Sequence, residues 1–354
     1  MEINFDFLLA GCNTRCKHCY VNGGPAPMMT ARDAFACIQK LDEIAESLPQ
    51  GTSFTLDNEP INHPDICAIL DAAAATSRIR YFHHGMTTGI ALMRRPDRDV
   101  VTDSYLSHGC RTFGITLHGI GKNYDELVCG SGAFAHAIQA ADYIKSRGCH
   151  LEVSLMLNRF FAEDGDGMIA LLEECSPDSV YFAVPVFAPH KRMMAFEPYR
   201  ATFEQLEQFR NLLRRWRRDI VTFPNPETVQ TPETVAERFE AGLSLHELFS
   251  KPQQDLYLSL HHDARLFVGN TGAETACLGD LRTADPMEIA RKISALPGNR
   301  DYGAFYEKND LPQPDALMKV LKSLPQSTAF GDFASVVYRA LTEMNVRTAL
   351  IKER

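Results

Sequence analysis

The order of apolar and polar residues along the first 200 positions predicts strands that alternate with helices. Short apolar or alternating runs are typical of strands, whereas apolar residues spaced three and four apart are typical of helices. The helical spacing is clear after Thr30, where Thr30 and Asp33 fit a capped helix start and apolar positions recur to about residue 48. The predicted strands cover residues 3–9, 51–56, 79–84, 111–117, 150–157 and 179–184.

Further helices are predicted between and after these strands, which fixes the expected fold class. Strands that alternate with helices favour parallel βαβ units, and the carboxyl ends of parallel strands meet at one edge. The sequence therefore predicts an α/β fold whose functional residues follow the strands. The predicted helices cover residues 65–77, 100–109, 131–147, 167–175 and 202–218.

The second part of the chain has a different pattern. Residues 221–235 contain Pro224, Pro226 and Pro232, which interrupt regular structure, so we place a domain junction there. This junction divides the chain into residues 1–220 and residues 221–354. A hairpin is predicted at 256–260 and 265–268, followed by helices at 285–295, 313–324 and 331–344.

Composition and charge exclude several classes of protein. The chain has 354 residues, of which 45% are hydrophobic and 23% charged, as is typical of globular proteins. Its net charge of −9 disfavours a nucleic-acid partner. No apolar run approaches the roughly 18 residues of a spanning helix, and the acidic N-terminus is unlike a signal peptide. We therefore expect a cytoplasmic protein without a membrane partner.

Three cysteines lie in one short loop directly after the first predicted strand. Cys12, Cys16 and Cys19 have C-x3-C-x2-C spacing, and three thiolates at this spacing can bind one compact metal centre. Disulfides are disfavoured because the chain has ten cysteines at irregular spacings and no secretory signal. A structural zinc site remains an alternative, with His18 or a distant residue as the fourth ligand.

The cysteine loop resembles the signature of the radical S-adenosylmethionine (SAM) superfamily. The resemblance implies that Cys12, Cys16 and Cys19 ligate a [4Fe-4S] cluster whose fourth iron binds SAM. In that family an electron from the cluster cleaves SAM to methionine and a 5′-deoxyadenosyl radical, and the electron comes from an external donor such as flavodoxin or ferredoxin. His18 stands where the family usually has an aromatic residue. The implied fold is a partial (β/α)6 barrel with the cluster at its C-terminal mouth.

The segment after the second predicted strand also resembles a family element. Asn58, Glu59 and Pro60 are similar to the end of a Gly-Gly-Glu-Pro element, which implies that Glu59 contacts the SAM amino group. Asn58 replaces a glycine, whose value is close approach of the main chain to a ligand. We expect Asn58 to offer a side-chain hydrogen bond instead. The alternative is an ordinary strand-to-helix turn.

Later strands carry the remaining SAM contacts that the resemblance implies. Thr88 lies in a Thr-Thr-Gly segment that is similar to the family's Thr-Asn-Gly. Ser154 and Asn158 occupy the places of residues that contact the SAM ribose and carboxylate, although a strand-end turn is the alternative for Asn158. Phe182 and Val184 are expected to line the adenine.

Two features near strand ends are candidates for contact with a substrate. His118 ends the fourth predicted strand, on the edge where we expect the site, and the alternative is a packed histidine. A basic run at residues 190–192 follows the sixth strand. Such a run is typical of a solvated loop, and its alternative role is contact with an anionic substrate group.

The C-terminal part resembles the extension called SPASM or twitch. A hairpin is followed by Cys277, Gly279 and Asp280, and in that subgroup cysteines of this region bind auxiliary iron–sulfur clusters. After residue 175 this chain has one cysteine, so a four-cysteine cluster cannot form there. We therefore expect a smaller C-terminal α/β extension without an auxiliary cluster, and one [4Fe-4S] cluster in all.

Together these expectations predict a radical SAM enzyme that acts on a small molecule of a specialised or natural-product pathway. Without an auxiliary electron acceptor we expect a redox-balanced outcome: epimerisation, elimination, rearrangement, decarboxylation or carbon–carbon bond formation. The cysteine loop begins at residue 12, which leaves no room for an N-terminal leader-binding domain and favours a small substrate. Two alternatives remain: a peptide-modifying maturase, and a noncatalytic module that holds zinc or an iron–sulfur cluster.

Overall fold

The computed structural model describes residues 2–21, 23–49, 51–83, 85–188, 191–245, 255–269, 274, 276–296 and 313–344. The strands in this part of the chain are β1 Ile3–Ala10, β2 Thr52–Asn58, β3 Arg80–Phe82, β4 Gly85–Thr87, β5 Thr112–Leu117, β6 His150–Met156, β7 Ser179–Ala183, β8 Val221–Thr222, β9 Leu256–Leu260, β10 Arg265–Val268 and β11 Ala276–Asp280.

The helices of the described residues lie mainly between the strands. They are α1 Ala31–Glu46, α2 Ile66–Ala74, α3 Ile90–Arg94, α4 Arg98–Ser107, α5 Lys122–Val128, α6 Ala133–Ser146, α7 Phe160–Cys175, α8 Lys191–Phe196, α9 Phe203–Arg217, α10 Pro232–Glu240, α11 Pro286–Ser294, α12 Pro314–Ser323 and α13 Phe333–Glu343. None of them is long and apolar enough to cross a bilayer.

The strands form two sheets that together give the expected partial barrel. One sheet has the order β11-β10-β9-β1-β2-β3, and the other has the order β4-β5-β6-β7-β8. Strands β1 to β3 pair in parallel, as do β4 to β8. The third predicted strand, 79–84, is in fact two short strands, β3 on β2 and β4 on β5. The α/β fold class and the alternation of strands and helices are confirmed.

The two faces of each strand meet different surroundings. Phe113 of β5 packs edge-on against Tyr105 of α4, and Phe182 of β7 packs in the same way against Phe209 of α9. This face therefore lies against the helices. Because side chains alternate between faces, the opposite face lines the barrel interior, and its residues include Ser154, which is only partly buried, and Tyr181, which is 46% exposed.

Most predicted helices agree with the structure to within a few residues, and one differs for a clear reason. Helix α7 begins at Phe160 rather than at residue 167. Gly165 and Gly167 interrupt its first half, and glycine disfavours a helix by about 1 kcal/mol relative to alanine, which obscures the helical pattern. The short helices α3, α5 and α8 were not predicted.

The proline-rich segment 221–235 contains a helix start. Thr231 caps α10 by accepting a hydrogen bond from the Thr234 N–H, and Pro232 occupies the first turn, where no N–H is required. The predicted hairpin is confirmed as β9 and β10, and β9 lies parallel to β1 in the same sheet. The division into residues 1–220 and 221–354 stays a prediction, since the later segment extends the sheet of the earlier one.

A buried arginine connects the end of the barrel to the last helix. Arg200 donates from Nη1 to the Pro185 carbonyl at 2.8 Å and from Nη2 to the Val186 carbonyl at 3.0 Å. Its Nε donates to Glu197 at 2.6 Å, and Glu197 also accepts from Arg339 of α13 at 3.0 Å. The Arg200 side chain is 1% exposed. Its charge is therefore compensated only through these contacts.

We expect Arg200→Leu to lower the free energy of unfolding by about 3–5 kcal/mol, because Glu197 loses its closest partner and two carbonyls lose their donor. Urea unfolding followed by circular dichroism measures this change. Arg217→Leu is the matched control, because Arg217 pairs with Asp219 at an exposed site where the two side chains are 53% and 66% exposed. Equal unfolding midpoints for the two variants would contradict the structural role of Arg200.

Candidate active site

Two of the three cysteines in the loop after β1 contact one hydroxyl group, and the third contacts a main-chain N–H. The sulfurs of Cys12 and Cys16 are each 3.3 Å from Thr14 Oγ1. The Gly23 N–H donates to Cys19 Sγ at 3.2 Å. All ten cysteines of the chain have free thiols. The role of Cys12, Cys16 and Cys19 as cluster ligands stays a prediction.

Main-chain contacts on one side hold the cysteine loop closed. The Cys12 N–H donates to the Gly24 carbonyl at 2.9 Å, and Asn62 Nδ2 donates to the Gly11 carbonyl at 2.7 Å. A side chain at Gly11 would collide with the main chain of Gly24 and Ala26. Glycine is therefore required where the loop crosses back on itself.

The end of α5 holds the other side of the loop. The Arg15 N–H donates to the Val128 carbonyl at 3.2 Å, and the Lys17 N–H donates to the Leu127 carbonyl at 2.8 Å. The loop therefore lies between the segment after β1 and an additional helix, α5, that periodicity did not predict.

Burial disfavours free thiolates at this site. It raises the pKa of Cys12 to about 11, with the Glu59 carboxylate as the second cause, and the pKa of Cys16 to about 12. Burial also raises the pKa of Cys19. A bound cationic centre supplies the compensation that lets such thiols ionise. The donor set therefore fits a metal centre rather than a reactive free cysteine.

A single zinc ion and an iron–sulfur cluster require different distances between their protein ligands. Within the described residues, no group of three His, Cys, Asp or Glu side chains converges on the position of one ion. A mononuclear zinc site requires such convergence, with sulfurs about 2.3 Å from the metal. A cubane cluster places each thiolate on a different iron, so its ligands lie farther apart. Both kinds of centre stay candidates for these thiols, and the cluster belongs to the proposed function.

Asn58 and Glu59 lie at the mouth, where β2 ends. Asn58 has a φ of +66°, the left-handed region that glycine and asparagine adopt more readily than other residues. Glu59 is 1% exposed and accepts from Thr87 Oγ1 at 2.5 Å and from the Thr88 N–H at 2.8 Å. Burial raises the pKa of Glu59. The structure thus brings three predicted SAM contacts together: Asn58, Glu59 and Thr88.

His18 and His118 pack against each other beside the cysteine loop. Their ring centroids are 4.4 Å apart, and His18 also packs edge-on against Phe196. Burial lowers the pKa of His18 to about 4, and burial also lowers the pKa of His118. His118 is 3% exposed and lies between His18 and Tyr124. Its contact with a substrate stays a prediction, and in this structure its neighbour is His18.

Asn158 uses its side chain to join strand ends. Its amide donates to the His118 carbonyl at 2.8 Å and to the Met156 carbonyl at 2.9 Å, and it accepts from the Phe160 N–H at 3.0 Å. Both amide protons are therefore in use. These bonds match the alternative interpretation of Asn158 as a strand-end residue, and its contact with SAM stays a prediction.

Ser154 and Phe182 lie on opposite faces of the sheet. Phe182 pairs with Leu155, so it shares the face of Leu155, whereas Ser154 shares a face with Tyr181. The Phe182 ring packs on Phe209, 5.4 Å away, on the helix side. The expected contact of Phe182 with the adenine stays a prediction, and in this structure its ring packs on the helix side of the sheet. Val184 lies just beyond β7, and its expected role stays a prediction.

Sequence analysis missed a set of residues that contact the cysteine loop from the far side. Arg192 of α8 donates to the Gly23 carbonyl. Tyr199 accepts a hydrogen bond from Lys17 at 2.7 Å, and its hydroxyl bonds to Glu126. The available signal was the basic run at 190–192, which was interpreted mainly as a solvated loop.

We expect Asn58→Gly to leave the free energy of unfolding nearly unchanged, because both residues adopt a positive φ. Asn58→Val is expected to lower it by about 1–2 kcal/mol, because a β-branched side chain collides with the main chain in that conformation. Urea unfolding of the metal-free protein compares the two variants. A valine variant as stable as the glycine variant would show that the left-handed conformation is not required.

Several solved structures have a similar fold. The native anSMEcpe structure with bound AdoMet has a TM-score of 0.57 and 12% identity, covering 96% of each chain. The native anSMEcpe structure with bound AdoMet and Cp18Cys peptide has a TM-score of 0.56 and 12% identity, covering 97% of this chain and 96% of that one. Streptococcus suis SuiB bound to S-adenosylmethionine has a TM-score of 0.48 and 12% identity, covering 89% and 75%.

The sequence match covers a shorter part of the chain than the structural matches do. No curated protein sequence matches the chain. Residues 8–159 match the radical SAM superfamily, and this segment contains the three cysteines, Glu59 and the strands β2 to β6. This match covers less than half of the chain, and over this segment the chain is similar to the radical SAM superfamily.

Proposed function

We propose that the chain binds one [4Fe-4S] cluster through Cys12, Cys16 and Cys19 and binds SAM at the iron that these thiols leave open. The observation that carries the proposal is the group of three partly buried thiols at the mouth of a radical SAM domain, beside the buried carboxylate of Glu59. Three ligands leave a four-iron cluster one protein ligand short.

A cluster held by Cys12, Cys16 and Cys19 would supply the electron for reductive cleavage of SAM, and an external donor such as flavodoxin or ferredoxin would reduce the cluster. The chain's own residues bind and orient SAM. Glu59 is fixed by Thr87 and Thr88, so its carboxylate is held in one position for the SAM amino group. Asn58 lies beside the cysteine loop. A Cβ atom placed on Gly23 would be 3.5 Å from both Asn58 Oδ1 and Cys19 Sγ.

We propose a small molecule as the substrate and the barrel interior as its binding site. The interior face has partly exposed polar groups, such as Thr116 and Ser154, and exposed aromatic rings, such as Phe82 and Tyr181. A mixture of apolar surface with a few polar groups is typical of small-molecule sites. The substrate would be drawn from a specialised or natural-product pathway.

The proposed outcome is redox-balanced. Cys277 is the single cysteine after residue 175, so the C-terminal part lacks the ligands of an auxiliary four-cysteine cluster. Without that acceptor, the substrate radical would end in epimerisation, elimination, rearrangement, decarboxylation or carbon–carbon bond formation rather than in net oxidation.

A peptide-modifying maturase is the second candidate function. The specific observation in its favour is that anSMEcpe, whose fold is similar, was solved with a bound peptide. The two candidates differ in the kind of substrate that binds near the SAM-cleaving site. Binding of extended peptides by the reconstituted protein, measured by calorimetry, would favour the maturase over the small-molecule enzyme.

Cys16→Ser is expected to abolish cluster binding, whereas Cys277→Ser is the matched control and should retain it. Anaerobically reconstituted wild-type protein should contain about four irons per chain. With dithionite and SAM it should form 5′-deoxyadenosine, and the Cys16 variant should form none. About eight irons per chain would contradict the single cluster, and bound zinc without SAM cleavage would favour the noncatalytic module.

Ser154→Ala should weaken SAM binding by about 5-fold to 10-fold, because one hydrogen bond contributes about 1 kcal/mol. Phe182→Leu should leave the SAM dissociation constant unchanged and lower the free energy of unfolding by about 1–3 kcal/mol, because its ring packs on Phe209. Calorimetry with the reconstituted variants measures SAM binding, and urea unfolding measures stability. Weakened SAM binding in the Phe182 variant alone would reverse the assignment of the two faces.

A further inference from the structure

Arg192 is a residue of α8 whose side chain contacts the cysteine loop. Its Nη1 donates to the carbonyl of Gly23, whose own N–H donates to Cys19 Sγ at 3.2 Å. Arg192 therefore contacts the residue that hydrogen-bonds the third cysteine. None of the described carboxylates forms an ion pair with Arg192.

The position of α8 is fixed by further contacts with the same loop. The Phe196 ring packs edge-on against His18 with centroids 5.7 Å apart. Three residues later, Tyr199 accepts from Lys17 at 2.7 Å, and the Lys17 ammonium lies 4.1 Å from the Tyr199 ring centroid. These contacts tie both ends of the segment 192–199 to the cysteine loop, so the guanidinium is placed by the fold rather than by a flexible surface loop.

The charge of Arg192 acts on the cysteine that it approaches. The Arg192 guanidinium binds the carbonyl of Gly23, the residue whose N–H donates to Cys19 Sγ, so the positive charge lies close to this thiol. A cluster bound by three thiolates is anionic, and reduction adds one further negative charge. A nearby cation stabilises the reduced form more than the oxidised form, and net charge and hydrogen bonds to sulfur are known determinants of cluster potential.

We propose that Arg192 is a positioning residue that holds the Cys19–Gly24 segment and raises the reduction potential of the cluster. The inference rests on the proposed function, since it requires a cluster on Cys12, Cys16 and Cys19. It assigns to the basic run after the sixth strand a role in accepting the electron from the external donor rather than a role in contact with substrate.

The test compares Arg192→Gln, Arg192→Lys and the matched control Arg215→Gln, which changes an exposed arginine of α9. Each protein is reconstituted anaerobically, its iron content is measured, and the midpoint potential of its cluster is determined by titration with dithionite under electron paramagnetic resonance. We expect a lower midpoint potential for Arg192→Gln at full iron content. Arg192→Lys should lie close to wild type, and Arg215→Gln should equal wild type.

The outcomes separate the inference from the proposed function. A wild-type protein that forms no four-iron cluster overturns the proposed function itself. An Arg192→Gln protein with full iron and an unchanged potential overturns only the role of Arg192. If Arg192→Gln loses iron, retention of iron and potential by Arg192→Lys supports the inference, and loss of iron by both variants overturns the part assigned to charge.

Discussion

Burial of three thiols in one loop is the constraint on which the rest of the site depends. Cys12, Cys16 and Cys19 lie where ionisation is costly, and the nearby Glu59 carboxylate makes a negative charge on Cys12 still less favourable. Such a loop is stable with protonated thiols, or with a bound centre whose positive charge compensates the thiolates. Cations also lie close to these thiols, because Lys17 is a residue of the loop and Arg192 donates to the Gly23 carbonyl.

The alternation of side chains along the strands separates stability from chemistry. Phe113 and Phe182 face the helices and are buried, whereas Ser154 and Tyr181 face the interior. Substitutions on the outer face therefore act on packing, and substitutions on the inner face act on ligands. The site residues lie just beyond the strands, where neither face constrains them and side chains such as Glu59 and His118 turn toward the cysteine loop.

Periodicity predicted the barrel well, because each strand and long helix has enough residues to display its pattern. Periodicity failed where the elements are short. Strands β3 and β4 have three residues each and α8 has six, so none of these elements covers two full repeats of its own period. The cysteine spacing and Glu59 were recognisable because their chemistry is local in sequence. The face on which Phe182 lies could not be predicted from the sequence, because it depends on the register of β6 and β7, in which Phe182 pairs with Leu155.

Asn58 shows why a departure from a family pattern need not change a site. Its φ of +66° means that the position selects for a backbone conformation, and asparagine is among the few residues besides glycine that adopt it readily. The exchange therefore keeps the main-chain path while adding an amide beside Gly23 and Cys19. A glycine gives a ligand room to approach, whereas an asparagine gives it a hydrogen-bonding partner. In the proposed function, the side-chain amide of Asn58 takes the place of a close approach of the main chain to SAM.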